Sequence, residues 1–434
     1  MITIIWLPES LSYWNLYLTA MKKQILQSIN DPEALEMLFR KDKNGFTLGF
    51  PEATAGIETE LIRFWQIRLK KETAGQKHQL LKTDLWIFSI LSIVIALLVK
   101  AHLIFGNITM EDYWFRNFTT IAFAGLTAWF ILKNRTTSIK NILMLVLPVI
   151  ILVVFINLLP HKLCDTIKLA LIHAPLFMWF IFGLAWVSFK YNNASKVSAF
   201  IRYNGELLTM FGLLCIAWAV FSGMTIGLFS VIGKDIGKIY PENIGIVGVA
   251  VFPILAAWLI ELYPDITSRI APIIARVFTP LVLILSVVYL FAITYYGIDL
   301  SKNREFLIVF NLLLLGVMAI ILFSLSEIDK SDIRKLNIIL ILVLAVVTLI
   351  IDLFALRAII FRLSDGFTPN RTVALISNIL FLVNLLLILP GLFLAGFKGK
   401  SLDRVEKIIY IYLPVYFLYC VAVIFVFPFI FGMK

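Results

Sequence analysis

Residues 336–363 read LNIILILVLAVVTLIIDLFALRAIIFRL. As a helix this run of about 28 residues extends ~42 Å, at 1.5 Å of rise per residue. That exceeds the ~30 Å hydrocarbon core of a bilayer, so the run predicts a tilted or projecting transmembrane helix. Its one acid is Asp352, with no Lys or Arg three or four residues away on either side. A carboxylate inside such a run usually faces a cavity or a partner. Asp352 can therefore relay protons or bind a cation. The plainer alternatives are a carboxylate near the interface, or one paired with an Arg on another helix.

Ten further apolar runs extend outward from this one, at 85–105, 117–133, 140–159, 169–189, 206–232, 243–263, 274–296, 304–325, 373–396 and 407–431. Together they predict an all-α polytopic transmembrane bundle of about eleven spans over residues 85–434, joined by short links. Composition agrees. The chain is 61% hydrophobic and 15% charged, with a mean hydropathy of +0.94, whereas soluble domains are about half apolar and a quarter charged. The net charge of +11 would suggest nucleic acid in a soluble protein. Here Lys and Arg concentrate in the links, where they set orientation, and no nucleic-acid partner is expected. Lys398, Lys400, Arg404 and Lys407 mark the clearest inner link, which places residues 1–84 inside and Lys434 outside.

The link after 363 is the most distinctive. Arg362-Leu363-Ser364-Asp365-Gly366-Phe367-Thr368-Pro369-Asn370-Arg371 reads as a helix stop, a turn and a helix start. Gly366 suits the left-handed position that closes a helix. Thr368 suits an N-cap and Pro369 the first helical position. Arg362, Arg371 and Thr368 form a candidate anion or headgroup site, with the free amides of the new helix. The structural reading is an interfacial clamp in which Asp365 pairs an Arg, and it is the simpler of the two.

Residues 1–84 predict a small cytoplasmic helical region. Asp31-Pro32-Glu33 is a helix start, Leu35, Leu38 and Phe39 share a face, and Gly45 is expected to end that segment. A second helix is expected from Ile57 to Lys71, with Ile57, Leu61, Phe64 and Trp65 on one face. The pair is too small for a large core and invites a protein partner or docking. Met21-Lys22-Lys23 resembles a natural chain start, which would leave residues 1–20 outside the native protein.

Asn311, Asn384 and Tyr416 join Asp352 as a candidate intramembrane polar site. Asn157 and Asn378 are further amides in spans. Such amides commonly hydrogen-bond across helices instead. Tyr412, Tyr416 and Tyr419 lie along one face of the last run and either line a polar path or pack. His173, before Pro175, is a weak metal candidate and suits a satisfied hydrogen bond near a kink. Gly223/Gly227 and Gly233/Gly237 have the spacing for close helix approach. Cys164, Cys215 and Cys420 form no CxxC pair, so neither a metal nor a disulfide framework is indicated. No phosphate-binding loop, HExxH or GxSxG occurs, and no cofactor or catalytic residue is expected.

Tyr295-Tyr296-Gly297-Ile298-Asp299, with Arg304, and the turn from Arg362 through Gly366, Thr368, Asn370 and Arg371 resemble a family of bacterial multi-pass membrane proteins catalogued as a domain of unknown function. The resemblance covers about the C-terminal half. It implies a bacterial cytoplasmic (inner) membrane and supplies no substrate. The reading for function is a transporter-like protein for a small solute, ion or lipid. The rival is a non-catalytic sensor or assembly factor acting through its N-terminal helices.

Overall fold

A computed structural model describes residues 19–57, 59–104, 109–133, 138–161, 163–191, 193–231, 234–295, 304–326, 335–364 and 366–433. Every regular element among them is helical. In chain order these are α1 (19–27), α2 (Pro32–Lys41), α3 (Lys43–Ala53), α4 (Glu60–Val99), α5 (Met110–Lys133), α6 (Ile139–Leu158), α7 (Asp165–Trp186), α8 (Ala194–Val231), α9 (Ile246–Leu262), α10 (Pro264–Tyr295), α11 (Arg304–Ser326), α12 (Lys335–Leu363), α13 (Pro369–Lys398) and α14 (Asp403–Val421). The chain divides into two compact units, Met1–Trp86 and Ile87–Lys434.

In the first unit Asp31 caps α2, its carboxylate accepting from the Glu33 and Ala34 amides at 3.0 and 3.1 Å. Leu35 and Phe39 are buried with Phe46, Phe50 and Trp65, and the rings of Phe39 and Phe46 lie 5.4 and 5.1 Å from that of Trp65. Two expectations change. Gly45 ends nothing: Asp42 closes α2 and its carboxylate accepts from Gly45 N, opening α3. The second helix runs on past residue 71, as α4. Its inward stripe is Ile62, Trp65 and Leu69, while Ile57 and Phe64 are exposed. A seven-residue step from Ile62 to Leu69 keeps one face, and Phe64 falls outside it.

Arg68 clasps Glu36 through both nitrogens and stacks over Trp65, 4.6 Å from its ring centre. Arg40 adds a third bond to Glu36 at 2.9 Å. The Arg68 guanidinium, then Arg40, holds the Glu36 carboxyl below its usual range. A depressed pKa contributes stability above the unfolded-state value and loses it as pH falls through the folded one. The first unit is therefore expected to loosen below the ordinary Glu range. Glu36→Gln should flatten that acid dependence, read by Trp65 fluorescence of the full chain against pH. The effect is small, because the pair is solvent-screened.

Nine helices among the described residues are long and apolar enough to cross a membrane, from Lys82–Val99 to Asp403–Ile430. The shorter apolar stretches Val277–Phe291 and Leu314–Leu325 lie in α10 and α11. One core gathers Ile95, Trp129, Phe182, Phe200 and Ile254 from α4, α5, α7, α8 and α9. A second gathers Ile321, Ile338, Leu385 and Val405 from α11 to α14. Large apolar side chains also point outward, including Leu147, Ile216, Leu228 and Leu285. A water-facing surface rarely carries so many.

Close helix approach does not use the expected Gly223/Gly227 pair. Nothing lies within 4 Å of where a Cβ would stand on Gly223 or Gly227, and Gly237 meets only the nearby Asp235 carboxylate. Gly233 lies outside the described residues. Close approach occurs instead at other glycines, among them Gly205, where a Cβ would come within 1.6 Å of the Phe323 side chain, and Gly391, where it would come within 2.5 Å of the buried Val405 side chain between α13 and α14.

Candidate functional site

The turn after α12 forms as its residues dictate. Gly366 adopts φ of 110°, and its amide bonds the Leu363 carbonyl at 3.0 Å. Thr368 caps α13, its hydroxyl accepting from Arg371 N at 3.4 Å, and Pro369 is the first helical residue. The Arg371 guanidinium donates to the Gly366 carbonyl at 2.8 Å. It thus closes the turn. Asn370 ties the start of α13 to Asp165 at the start of α7. Arg362 is half-buried in the last turn of α12. Asp365, the expected ion-pair partner, lies outside the described residues.

This tight turn makes α12 and α13 an antiparallel hairpin, and they are the most extensively packed pair of helices. The direction of a Cβ on Gly396 points at Ile338, 3.5 Å away, which fixes the register. Counting from that pair and from the turn, Asp352 is level with about residues 380–382 of α13. Asn378 and Asn384 straddle that level, each within about 6 Å along the axis.

Facing is set by the neighbours. Thr348, Asp352, Ala355 and Ile359 form one stripe of α12, and all four are buried. Ala374 and Phe381, one turn either side of Asn378, pack in the same cluster as Ile351, Ala355 and Ile359. Asn378 therefore belongs to the face of α13 turned toward Asp352. Both residues are fully buried. Among the described residues, neither Asp352 oxygen has a hydrogen-bond partner, and neither does the Oδ1 or Nδ2 of Asn378.

The third wall is α14. The Asn384 amide donates to the Tyr416 hydroxyl at 3.0 Å, while Asn384 Oδ1 is without a partner. Tyr416 stands close enough to Asp352 for a coulombic interaction. Thr348 donates its proton to the Leu344 carbonyl at 2.7 Å, which leaves the lone pairs of its Oγ1 available. Asn311 on α11 also has an unpartnered Oδ1, and Leu314, a turn further on, joins Ile351 and Ala355 in their cluster. The polar candidates expected in α11, α12, α13 and the last run thus converge on one buried region. Asn378 and Thr348 complete it.

The remaining expectations resolve locally. His173 Nδ1 bonds the Leu169 carbonyl at 2.8 Å in the turn before Pro175. Tyr419 bonds Ser377 Oγ at 3.2 Å, and Tyr412 is buried. Asn157 pairs with Asn117 through reciprocal amide bonds of 2.9 and 2.8 Å. All three cysteines are free. Among the described residues no group of His, Cys, Asp or Glu could hold a metal ion. A cavity of about 260 Å³ opens elsewhere, lined by Asn141, Ser188, Phe189, Lys190 and Lys196. Ser188 and Phe189 both have positive φ there.

One polar network escapes a reading of the sequence. Arg116, fully enclosed, donates to Asp112 at 3.0 Å and to the carbonyls of Ile156, Leu159 and Pro160 at 2.6, 3.2 and 2.8 Å. Those carbonyls end α6. Asp112 also pairs with His161 at 2.7 Å. The arrangement caps a helix C-terminus with a cation, so it is architectural. Its sequence signal was only the i, i+4 spacing of Asp112 and Arg116 in an aromatic stretch.

No family model, no curated protein and no solved structure matches this chain.

Proposed function

We propose that this chain is a multi-pass protein of a bacterial inner membrane, with about eleven spans and a cytoplasmic N-terminal unit. In this reading it is transporter-like, moving a small solute, ion or lipid. The observation that carries the proposal is Asp352. A helix crossing a bilayer with Leu363 at one interface holds Asp352, eleven residues earlier, about 16 Å deep. That is near the middle of a ~30 Å core. A bare carboxylate at that depth is costly, and ionisable groups so placed mark substrate or ion pathways. The convergence of amides and hydroxyls from three further helices supports the same reading. So do the two apolar stretches of α10 and α11, which bring nine candidate spans to eleven. The resemblance of the Arg362–Arg371 turn to a bacterial membrane family supports the location.

The test is thiol accessibility in a variant lacking Cys164, Cys215 and Cys420. Single cysteines at Asn311, Thr348, Asn384 and Tyr416 are labelled with an impermeant reagent from each side of the membrane. Labelling of the same deep positions from both faces is the expected result. Absence of deep labelling from either face overturns the transport reading.

A second reading has its own observation. Met37, Phe64 and Ile67 are more than half exposed on the first unit. Such a surface suits a protein partner, as a sensor or assembly factor would need. A dry bundle in the labelling experiment would favour it.

A further inference from the structure

We propose that Asp352, with the side-chain carbonyls of Asn378 and Asn384 and the hydroxyl of Thr348, forms a binding site for a monovalent, oxygen-preferring cation, taken to be sodium. The inference rests on the transport reading only for its purpose. The site itself follows from an imbalance of donors and acceptors.

The orphaned atoms around Asp352 are mostly oxygens. Asp352 Oδ1 and Oδ2, Asn378 Oδ1 and Asn384 Oδ1 have no donor among the described residues, and Asn311 Oδ1 adds another. Among the described residues the donors left over in this group are Asn378 Nδ2 and the O–H of Tyr416, whose oxygen accepts from Asn384. Buried polar groups are almost always satisfied, so several unsatisfied acceptors in one place need an explanation. A proton on Asp352 would add one O–H donor and satisfy one further oxygen. Oxygens would still outnumber the donor groups of the region. A hard cation accepts several oxygen ligands at once and discharges the imbalance in one event.

Charge selects the valence. Asp352 is the carboxylate of the region among the described residues, and binding a cation requires its ionised form. A monovalent cation neutralises it, whereas a divalent cation would leave a net positive charge in an apolar core, at high desolvation cost. The ligand chemistry is carboxylate, amide carbonyl and hydroxyl, all hard oxygens, with no sulfur or imidazole donor to favour a transition metal. Position agrees as well. Asn378 could donate to Asp352 but makes no such bond, although the two face each other across tightly packed helices. The bond they do not make leaves the oxygens of both available to an ion. Tyr416 then acts as a positioning residue, because its hydroxyl accepts the Asn384 amide proton and so orients the Asn384 carbonyl away from itself.

The experiment is equilibrium binding of radioactive sodium to the purified full-length protein in detergent, with thermal unfolding measured in parallel. Saturable binding is expected, displaced by unlabelled sodium and by neither choline nor magnesium, and sodium should raise the unfolding midpoint of the wild type. Asp352→Asn should abolish both effects, and Asn378→Leu should weaken affinity about tenfold or more. Should the variants fail to fold, the wild-type competition series decides alone. Absence of saturable binding overturns the proposal, as does displacement by magnesium at equal concentration, or an Asp352→Asn protein that binds like wild type. Failure here is distinct from failure of transport. Sodium binding without deep thiol labelling leaves the site standing and removes the carrier, while deep labelling without sodium binding does the reverse.

Discussion

Arg116→Ala is expected to destabilise the protein by about 3–5 kcal/mol, the range for removing one partner of a buried, hydrogen-bonded ion pair. The guanidinium joins two elements at once. One nitrogen holds Asp112 in its own helix, and the other two hold three carbonyls at the end of α6. Alanine would strand those carbonyls, which have no partner later in the helix. It would also leave Asp112 with only the exposed His161 for company. Arg116→Lys should recover little, because an ammonium cannot reach the carboxylate and three carbonyls from one planar fork. Thermal unfolding in detergent measures the loss, and limited proteolysis around residues 159–165 should detect the released end of α6. A wild-type midpoint for Arg116→Ala would mean that α5 and α6 are held by the Asn117–Asn157 pair and apolar packing alone.

Arg116 also shows where reading this sequence stops. Hydropathy averages over a window, so a single Arg beside Asp, Tyr and Trp merely delayed the expected span to residue 117, whereas α5 begins at Met110. What a buried Arg bonds to is decided by a chain segment forty residues away, and no local pattern encodes that. Local signals fared better. Asp31, Gly366, Thr368 and Pro369 each carry their conformational preference in their own chemistry, and each does what that chemistry dictates. Gly45 misled because Asp42, three residues before it, is both a good helix end and a good N-cap, and the cap prevailed. The Gly223/Gly227 pair misled for a different reason. Spacing shows that two glycines share a face, but not that another helix covers that face. Asp352, Asn378 and Asn384 were each visible as polar residues in apolar runs. Their convergence was not, because it depends on the hairpin register, and that depends on how short the turn at Gly366 is.

Asp352→Leu is expected to raise the stability of the folded protein in sodium-free buffer while removing its function. A buried carboxylate without donors destabilises the fold, and replacing buried charge by a well-packed apolar group of similar size commonly stabilises by about 1–4 kcal/mol. Leu suits the stripe, whose neighbours Ile351, Ala355 and Ile359 are already apolar and buried. Asp352→Asn should lie between, since it removes the charge but keeps an unsatisfied amide. Thermal unfolding of the three proteins, with and without sodium, gives the order. Without sodium the wild type should be the least stable. With saturating sodium its midpoint should climb, and the variants should not move, because only a site that binds the folded state is stabilised by its ligand. The opposite order without sodium, with Asp352→Leu the least stable, would show that Asp352 holds α12 in place through a partner of its own. The difference between these outcomes bears directly on why the residue is there. A group kept at the expense of the fold's own stability calls for a functional reason, and the proposed cation site is the reason that this order of stabilities would support.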